Sequence, residues 1–272
     1  MIIKSQCVCQ NDLFKFRPLI EYKNETVFKD YEGISIYKCL NCGLLKTIRT
    51  KDRKFDYPNR SNYYEKNKAL FKQLLTPVVS QIRKFKQKGR VLDVGCSSGI
   101  LLELLKQQNF DVFGIEPEKG AYKIAQNKFP TRIFKGTLKD FIASNTLKFD
   151  IIIYNHVFEH VQDPIFELKL IKKVLKKQGI LVLGLPNTSN VIFYLRNKYW
   201  ESLMPGEHIW HFSKKQITNL LKKSKFLIVN SLFSDDKRLD YPLVKRIYFK
   251  FLSLINKILD TGEAMLLICK QA

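Results

Sequence analysis

The run Val91-Leu92-Asp93-Val94-Gly95-Cys96-Ser97-Ser98-Gly99, followed by the apolar stretch Ile100 to Leu105, leaves few folds open to this chain. It reads as a short buried strand, a turn with two glycines, and the first turns of a helix. Doubly wound α/β sheets build their ligand sites at such strand ends. A second short strand, Val112 to Ile115, closes on Glu116. That acid lies about 20 residues after Gly95, where a carboxylate can bond both hydroxyls of a ribose.

From Arg90 onward strand and helix patterns alternate, which implies parallel strands with helices on both faces. The predicted order is helix Ile100–Gln108, strand Val112–Ile115, helix Glu118–Lys128, strand Thr131–Phe134 and helix Thr137–Asn145. Asp150–Tyr154 is a continuous apolar run of the kind a central parallel strand shows. Pro164 opens a helix that runs to about Lys177 and stops at Gly179. Ile180–Leu185 is the fifth strand, Ser213 caps a helix to about Lys223, and Phe226–Phe233 and Ala264–Cys269 are the last strands. A helix before the first strand, ending near Phe85, breaks or restarts at Pro77.

The glycine turn has the spacing G-x-x-x-G, not the G-x-G-x-x-G of dinucleotide folds, and Asp93 sits two residues before its first glycine. A carboxylate there repels a pyrophosphate. It suits a ligand that has a ribose, no phosphate, and positive charge of its own. S-adenosylmethionine, with its sulfonium and ammonium, has that chemistry. Leu92–Gly99 resembles motif I of class I S-adenosylmethionine-dependent methyltransferases, and Gly114-Ile115-Glu116-Pro117 resembles their acidic loop after the second strand. The likeness extends over residues 85–270 and implies an α/β fold with a Rossmann-like seven-stranded methyltransferase sheet. It implies that Asp93 and the backbone at Gly95 and Cys96 lie near the methionine part, and that Gly99 lets the helix approach. Glu116 would take the ribose hydroxyls, Ile115 and Pro117 would flank the adenine, and Asn155 would border the donor. The plainer alternative is a strand-turn-helix whose glycines only permit close packing. The rival to an enzyme is a methyltransferase-like module that merely binds a partner, and the intact Asp93, Gly95, Gly99 and Glu116 set speaks against it.

All four histidines fall in two clusters, His156/His160 and His208/His211. His156-Val157-Phe158-Glu159-His160 matches the H-x-x-E-H of inverted zinc peptidases. Directly after a buried strand, and with Asp163-Pro164 following, it lacks the helix that such a site needs. Asn155 to Pro164 instead resembles the "EHV-x-D-P" segment of methyltransferases that include the ubiquinone-biosynthesis O-methyltransferases. Three roles compete: His156, His160 or His208 as a general base for a substrate hydroxyl, Glu159 with His160 as ligands of a divalent cation, or a purely structural bond network. The second cluster, Pro205 to Ser213, precedes a helix and resembles the "H-x-x-x-F-S" phrase at the acceptor mouth of related enzymes.

Residues 1–60 are predicted to form a separate zinc-ribbon-like module and linker, and residues 61–272 the class I methyltransferase domain. Cys7-Val8-Cys9 and Cys39-Leu40-Asn41-Cys42-Gly43 are two close thiol pairs about 30 residues apart, a spacing that suggests a closed tetrahedral Zn²⁺ site. The first pair is one residue shorter than the usual C-x-x-C, and the cysteines read otherwise as small buried hydrophobes. The stretch Lys51 to Asn62, with Pro58, is an exposed linker.

The chain has 272 residues and a formal net charge of +22. The excess is mostly scattered lysine, which disfavours a nucleic-acid partner and leaves attraction to anionic lipids or phosphorylated substrates open. Two apolar-basic insertions, near 190–200 and 242–259, read as packing helices, a roof over the acceptor pocket, or elements lying on a membrane surface. Polar Lys4, Ser5 and Gln6 after Ile2-Ile3 give no signal-peptide core. No apolar run approaches the roughly 20 residues of a membrane span. The expected location is the cytoplasm, with peripheral membrane contact open. The expected acceptor is a small molecule, sugar or polysaccharide precursor, with RNA or protein as the alternative; oligomeric state is not legible.

Overall fold

A computed structural model describes residues 2–9, 13–22, 31–49, 61–236, 238 and 241–272. The predicted linker is thus mostly outside the described residues. Two sheets organise the chain. The first contains β1 (Ile3–Gln6), β2 (Leu13–Glu21), β3 (Ile34–Cys39) and β4 (Leu45–Arg49) in antiparallel order. Its fifth strand, β10 (Trp210–His211), comes from far along the chain.

The second sheet has seven strands. They are β5 (Arg90–Val94), β6 (Asp111–Glu116), β7 (Ile133–Lys135), β8 (Phe149–Asn155), β9 (Leu175–Pro186), β11 (Phe226–Ser234) and β12 (Ala264–Gln271). Their order is β11-β12-β9-β8-β5-β6-β7. β7, β6, β5, β8 and β9 run parallel, while β12 lies antiparallel between β9 and β11. The connecting helices are α1 (Ser61–Lys66), α2 (Lys68–Phe85), α3 (Ile100–Gln107), α4 (Lys119–Lys128), α5 (Leu138–Ser144), α6 (Pro164–Val174), α7 (Val191–Arg196), α8 (Lys214–Lys223) and α9 (Leu243–Ile258). The seven-stranded α/β expectation holds, including Ser213 as the cap of α8, where it forms a reciprocal capping box with Gln216.

Several boundaries moved. The helix from Pro164 ends at Val174, not near Lys177, because Leu175 turns extended and pairs with Phe149. Gly179 therefore lies inside β9, beside a register shift, where a Cβ would meet Leu175 Cδ1 at 2.5 Å. Pro77 does not break α2; the restart comes at Asn67 instead. Thr131 has φ +64° and belongs to the turn before β7, not to the strand.

The N-terminal sheet is welded to the larger one. Phe16, Tyr37 and Leu44 share one core with Phe158, Trp210, Phe212, Ile217 and Leu220. Arg49 donates to the Gly206 carbonyl at 2.7 Å, and Lys46 lies 4.8 Å over the Trp210 ring.

Candidate donor and acceptor site

The parallel strands end together, and a cavity of about 260 Å³ opens at the carboxyl ends of β5 and β8. The motif turn supplies Asp93, Gly95, Cys96, Ser97 and Ser98, and the loop after β8 supplies Asn155, His156 and Val157. Tyr64, Phe71 and Leu75 of α1 and α2 line the remaining side, with Tyr64 edge-on to Phe71 at 4.6 Å. Sequence reasoning missed these three. Their signal, two aromatics and a leucine in the helices before β5, was present but has no fixed spacing.

The turn needs its glycines for backbone angle and for space. Gly95 has φ +74°, and a Cβ there would lie 2.5 Å from Val157 Cγ2. Gly99, at φ +81°, caps α3 and leaves only 3.0 Å for a Cβ beside the Phe129 ring. The amides of Gly95 and Cys96 both donate to the Ile115 carbonyl, at 2.8 and 3.0 Å. Ile115 thus serves the turn through its backbone, while its side chain is fully buried in the core. Pro117 is exposed beyond the end of β6.

Glu116 closes β6 and is buried. Its carboxylate accepts from the Ser97 and Glu118 amides, each at 2.8 Å, so it locks the turn as well as facing it. Burial raises the Glu116 carboxyl above its ordinary range. Asp93 is buried too, and burial together with the Glu116 charge pushes it up to about 8. Two acids therefore share a low-dielectric floor. Lys128 of α4 braces the far side: it bonds Glu65 of α1 at 2.7 Å and the Ser98 carbonyl at 2.9 Å, and pairs with Glu103 at 3.1 Å.

The two histidine clusters meet in space, which sequence could not show. Glu159 sits in a one-turn 3₁₀ segment, Phe158–His160, with 1% of its surface exposed. Neither of its carboxylate oxygens has a hydrogen-bond partner. His156 Nδ1 stands 3.6 Å and His208 Nε2 3.8 Å from Glu159 Oε1. Burial opposes ionisation of Glu159, yet the surrounding imidazoles hold its carboxyl below the usual range. The His160 and His208 rings are 4.8 Å apart, centroid to centroid. His160 Nδ1 donates to the Glu207 carbonyl at 3.0 Å.

Among these, His156 alone lines the cavity, half exposed and at φ +55°. His208 is buried, which pulls it down to about 4. His211 is also buried and lowered, and its Nε2 meets Thr47 Oγ1 of β4 at 2.8 Å. The ligand atoms of Glu159, His160 and His208 lie within 4.8 Å of one another, so the set could hold a divalent cation.

Away from this site, the four N-terminal thiols converge with their sulfurs within 4.8 Å of each other. Cys39 ends β3, and Gly43, at φ +77°, turns the chain back so that its amide bonds the Cys39 carbonyl at 2.9 Å. The Cys7 thiol beside Cys42, 3.6 Å away, holds Cys42 down to about 5 and is itself pushed up. A tetrahedral thiolate site fits this donor set.

The geometry has counterparts among known proteins. The chain is 36% identical over 107 residues to the ubiquinone biosynthesis O-methyltransferase of Actinobacillus pleuropneumoniae serotype 7 (strain AP76), covering 36% of this chain and 46% of that protein. It spans about half the length of the curated relatives it matches. Its fold is similar to a SAM-dependent methyltransferase from Archaeoglobus fulgidus, with TM-score 0.57 at 22% identity over 77% of this chain and 98% of that one. It is also similar to the magnesium protoporphyrin IX methyltransferase of Synechocystis PCC 6803 with bound SAH, with TM-score 0.53 at 17% identity over 74% and 84%. The profile of the methyltransferase domain family matches residues 62–231, which takes in the glycine turn, both acids and both histidine clusters, and the chain belongs to that family.

Proposed function

We propose that this protein is an S-adenosylmethionine-dependent methyltransferase acting on the oxygen of a small-molecule acceptor, a sugar or polysaccharide precursor included. The observation that carries this reading is buried Asp93 on the wall of an aromatic-sided cavity, with buried Glu116 bonded to the Ser97 amide of the same turn. A cationic ribose ligand supplies the positive charge that this floor lacks. The O-methyltransferase relatives support an oxygen acceptor.

Bound S-adenosylmethionine would supply a methyl carbon already activated by its sulfonium. The chain's own residues then have three tasks. Asp93 and Glu116 orient the donor's cationic and ribose ends. Tyr64, Phe71 and Leu75 exclude water from the transfer path. His156, on the cavity wall, would accept the hydroxyl proton that the acceptor oxygen gives up on methylation. Glu159, 3.6 Å behind His156, stabilises the imidazolium that results. His160 and His208 position Glu159, or hold with it a cation that orients the acceptor. The orphaned carboxylate oxygens of Glu159 favour the cation. Cys7, Cys9, Cys39 and Cys42 would hold structural zinc, a metal staple in the N-terminal sheet.

Calorimetry with S-adenosylmethionine tests the reading. Binding in the micromolar range, weakened about 10- to 100-fold by Glu116→Ala, is expected, since hydrogen bonds to a charged group contribute about 1.5–3 kcal/mol. No binding at millimolar ligand would leave only a methyltransferase-like scaffold.

A further inference from the structure

We propose that the outward face of α9, extended by α7, docks on an anionic lipid surface. This rests on the fold alone and stands or falls apart from the methyl-transfer reading.

The inward face of α9 is well held. Phe249 and Leu252 pack with Ile192, Trp200 and Leu203, and the Asn256 side chain bonds Asp235 and the Val191 amide, each at 2.9 Å. The opposite face is apolar and bare. Val244, Ile247, Phe251 and Ile258 are 79%, 59%, 60% and 74% exposed, and their spacing lines them along one stripe. On α7 the neighbouring Tyr194 is 84% exposed. A helix on a water-facing surface normally turns polar residues outward, so a continuous apolar stripe marks a contact site.

Charge identifies the occupant. Arg246, Lys250 and Lys257 run down one flank of the stripe, and α9 contains no Asp or Glu. A second copy of the chain would bring the same cations to a patch with no acid of its own. An anionic bilayer matches both features: the apolar stripe sinks to the acyl boundary while the long basic side chains reach headgroup phosphates. With 16 residues, α9 lies along such a surface; no helix among the described residues is long and apolar enough to cross a membrane.

Topology places this face at the working end. Ser234 at the end of β11 and Pro186 at the end of β9 both pair with Ala264 at the start of β12, so α7 and α9 leave from the same sheet edge as Asn155 and Gly95.

Co-sedimentation of the full chain with phosphatidylcholine vesicles, with and without phosphatidylglycerol, tests this. Binding is expected only with the anionic lipid. Arg246→Gln/Lys250→Gln/Lys257→Gln should weaken it about a hundredfold, since each basic residue near the surface contributes about fivefold. Ile247→Ser/Phe251→Ser should weaken it by a similar factor. Lys84→Gln/Lys86→Gln/Lys88→Gln, at the opposite sheet edge, removes equal charge and should weaken binding less than about fivefold. Phe251→Trp should shift its emission to the blue on anionic vesicles even if other variants fold poorly. Equal loss from both charge sets, or an unshifted Trp spectrum, overturns the proposal in favour of adsorption by bulk charge. A dimer that Ile247→Ser/Phe251→Ser makes monomeric, without vesicle binding, overturns it in favour of a second copy.

Discussion

At the residue scale the two buried acids set the pH behaviour of donor binding. Asp93, pushed up to about 8 by burial and by Glu116, holds a proton at neutral pH until a cation binds beside it. A bound cation favours its carboxylate, so binding releases that proton. Affinity for S-adenosylmethionine should therefore rise with pH up to about 8, by close to a decade per unit, and Asp93→Asn should flatten the slope. Calorimetry in buffers of different ionisation enthalpy would count the proton. The base reading of His156 gives a second expectation. His156→Asn should lower kcat for an oxygen acceptor about 10²- to 10⁴-fold while leaving donor affinity within a few-fold. Glu159→Gln should shift the kcat–pH profile without removing turnover, because Glu159 acts through His156. Asp93 and Glu116 were legible because their chemistry sits at fixed distances from a glycine turn. The unpartnered state of Glu159 was not, because His208 arrives from a different part of the chain.

Elements explain why the thiols and the histidines belong to one device. β10 begins two residues after His208, carries His211, and pairs with β4 of the N-terminal sheet. Ile209 donates to the Glu159 carbonyl at 3.0 Å and accepts from the Thr47 amide at 2.9 Å, so one residue bridges the sheet and the 3₁₀ segment. Metal at the four cysteines would hold β3 and β4 in the register that β10 completes. The chain should purify with zinc at unit stoichiometry, and Cys39→Ser should lose it. The same variant should melt at least several degrees lower, since a structural zinc contributes folding free energy outright. Its His208 and His211 ring resonances should broaden or shift. Unchanged ring spectra in the zinc-free variant would mean that the two sites are independent.

For the whole molecule, the buried imidazoles dictate where acid unfolds the protein. Burial pulls His208 down to about 4 and lowers His211 as well, whereas both take up protons near 6.5 when unfolded. The unfolded chain then binds more protons, and stability contributed by the neutral rings is lost as pH falls from about 6.5 toward 4. Asp93 acts with the opposite sign over this range, since its raised value favours the folded state as pH falls from about 8 toward its ordinary value. Glu116, also raised by burial, acts in the same direction as Asp93, so the loss toward acid carried by the two imidazoles is read by difference. Urea unfolding at pH 7 and pH 5 should show it, and His211→Gln should reduce the slope by about 1.4 kcal/mol per pH unit. Because these rings lie where the two sheets meet, acid should loosen the N-terminal sheet first. The sequence by itself determined the α/β class, the strand-turn-helix, the two acids and the pairing of the thiols, since each is written in local spacing and hydrophobic period. It misplaced the end of α6, because Leu175 is drawn into β9 by pairing with Phe149, a long-range event. Only the tertiary structure decided that β10 completes the first sheet, that His156, His160 and His208 gather around Glu159, and that the stripe on α9 stays uncovered. Those depend on which distant segments pack together, and short-range spacing carries no record of that.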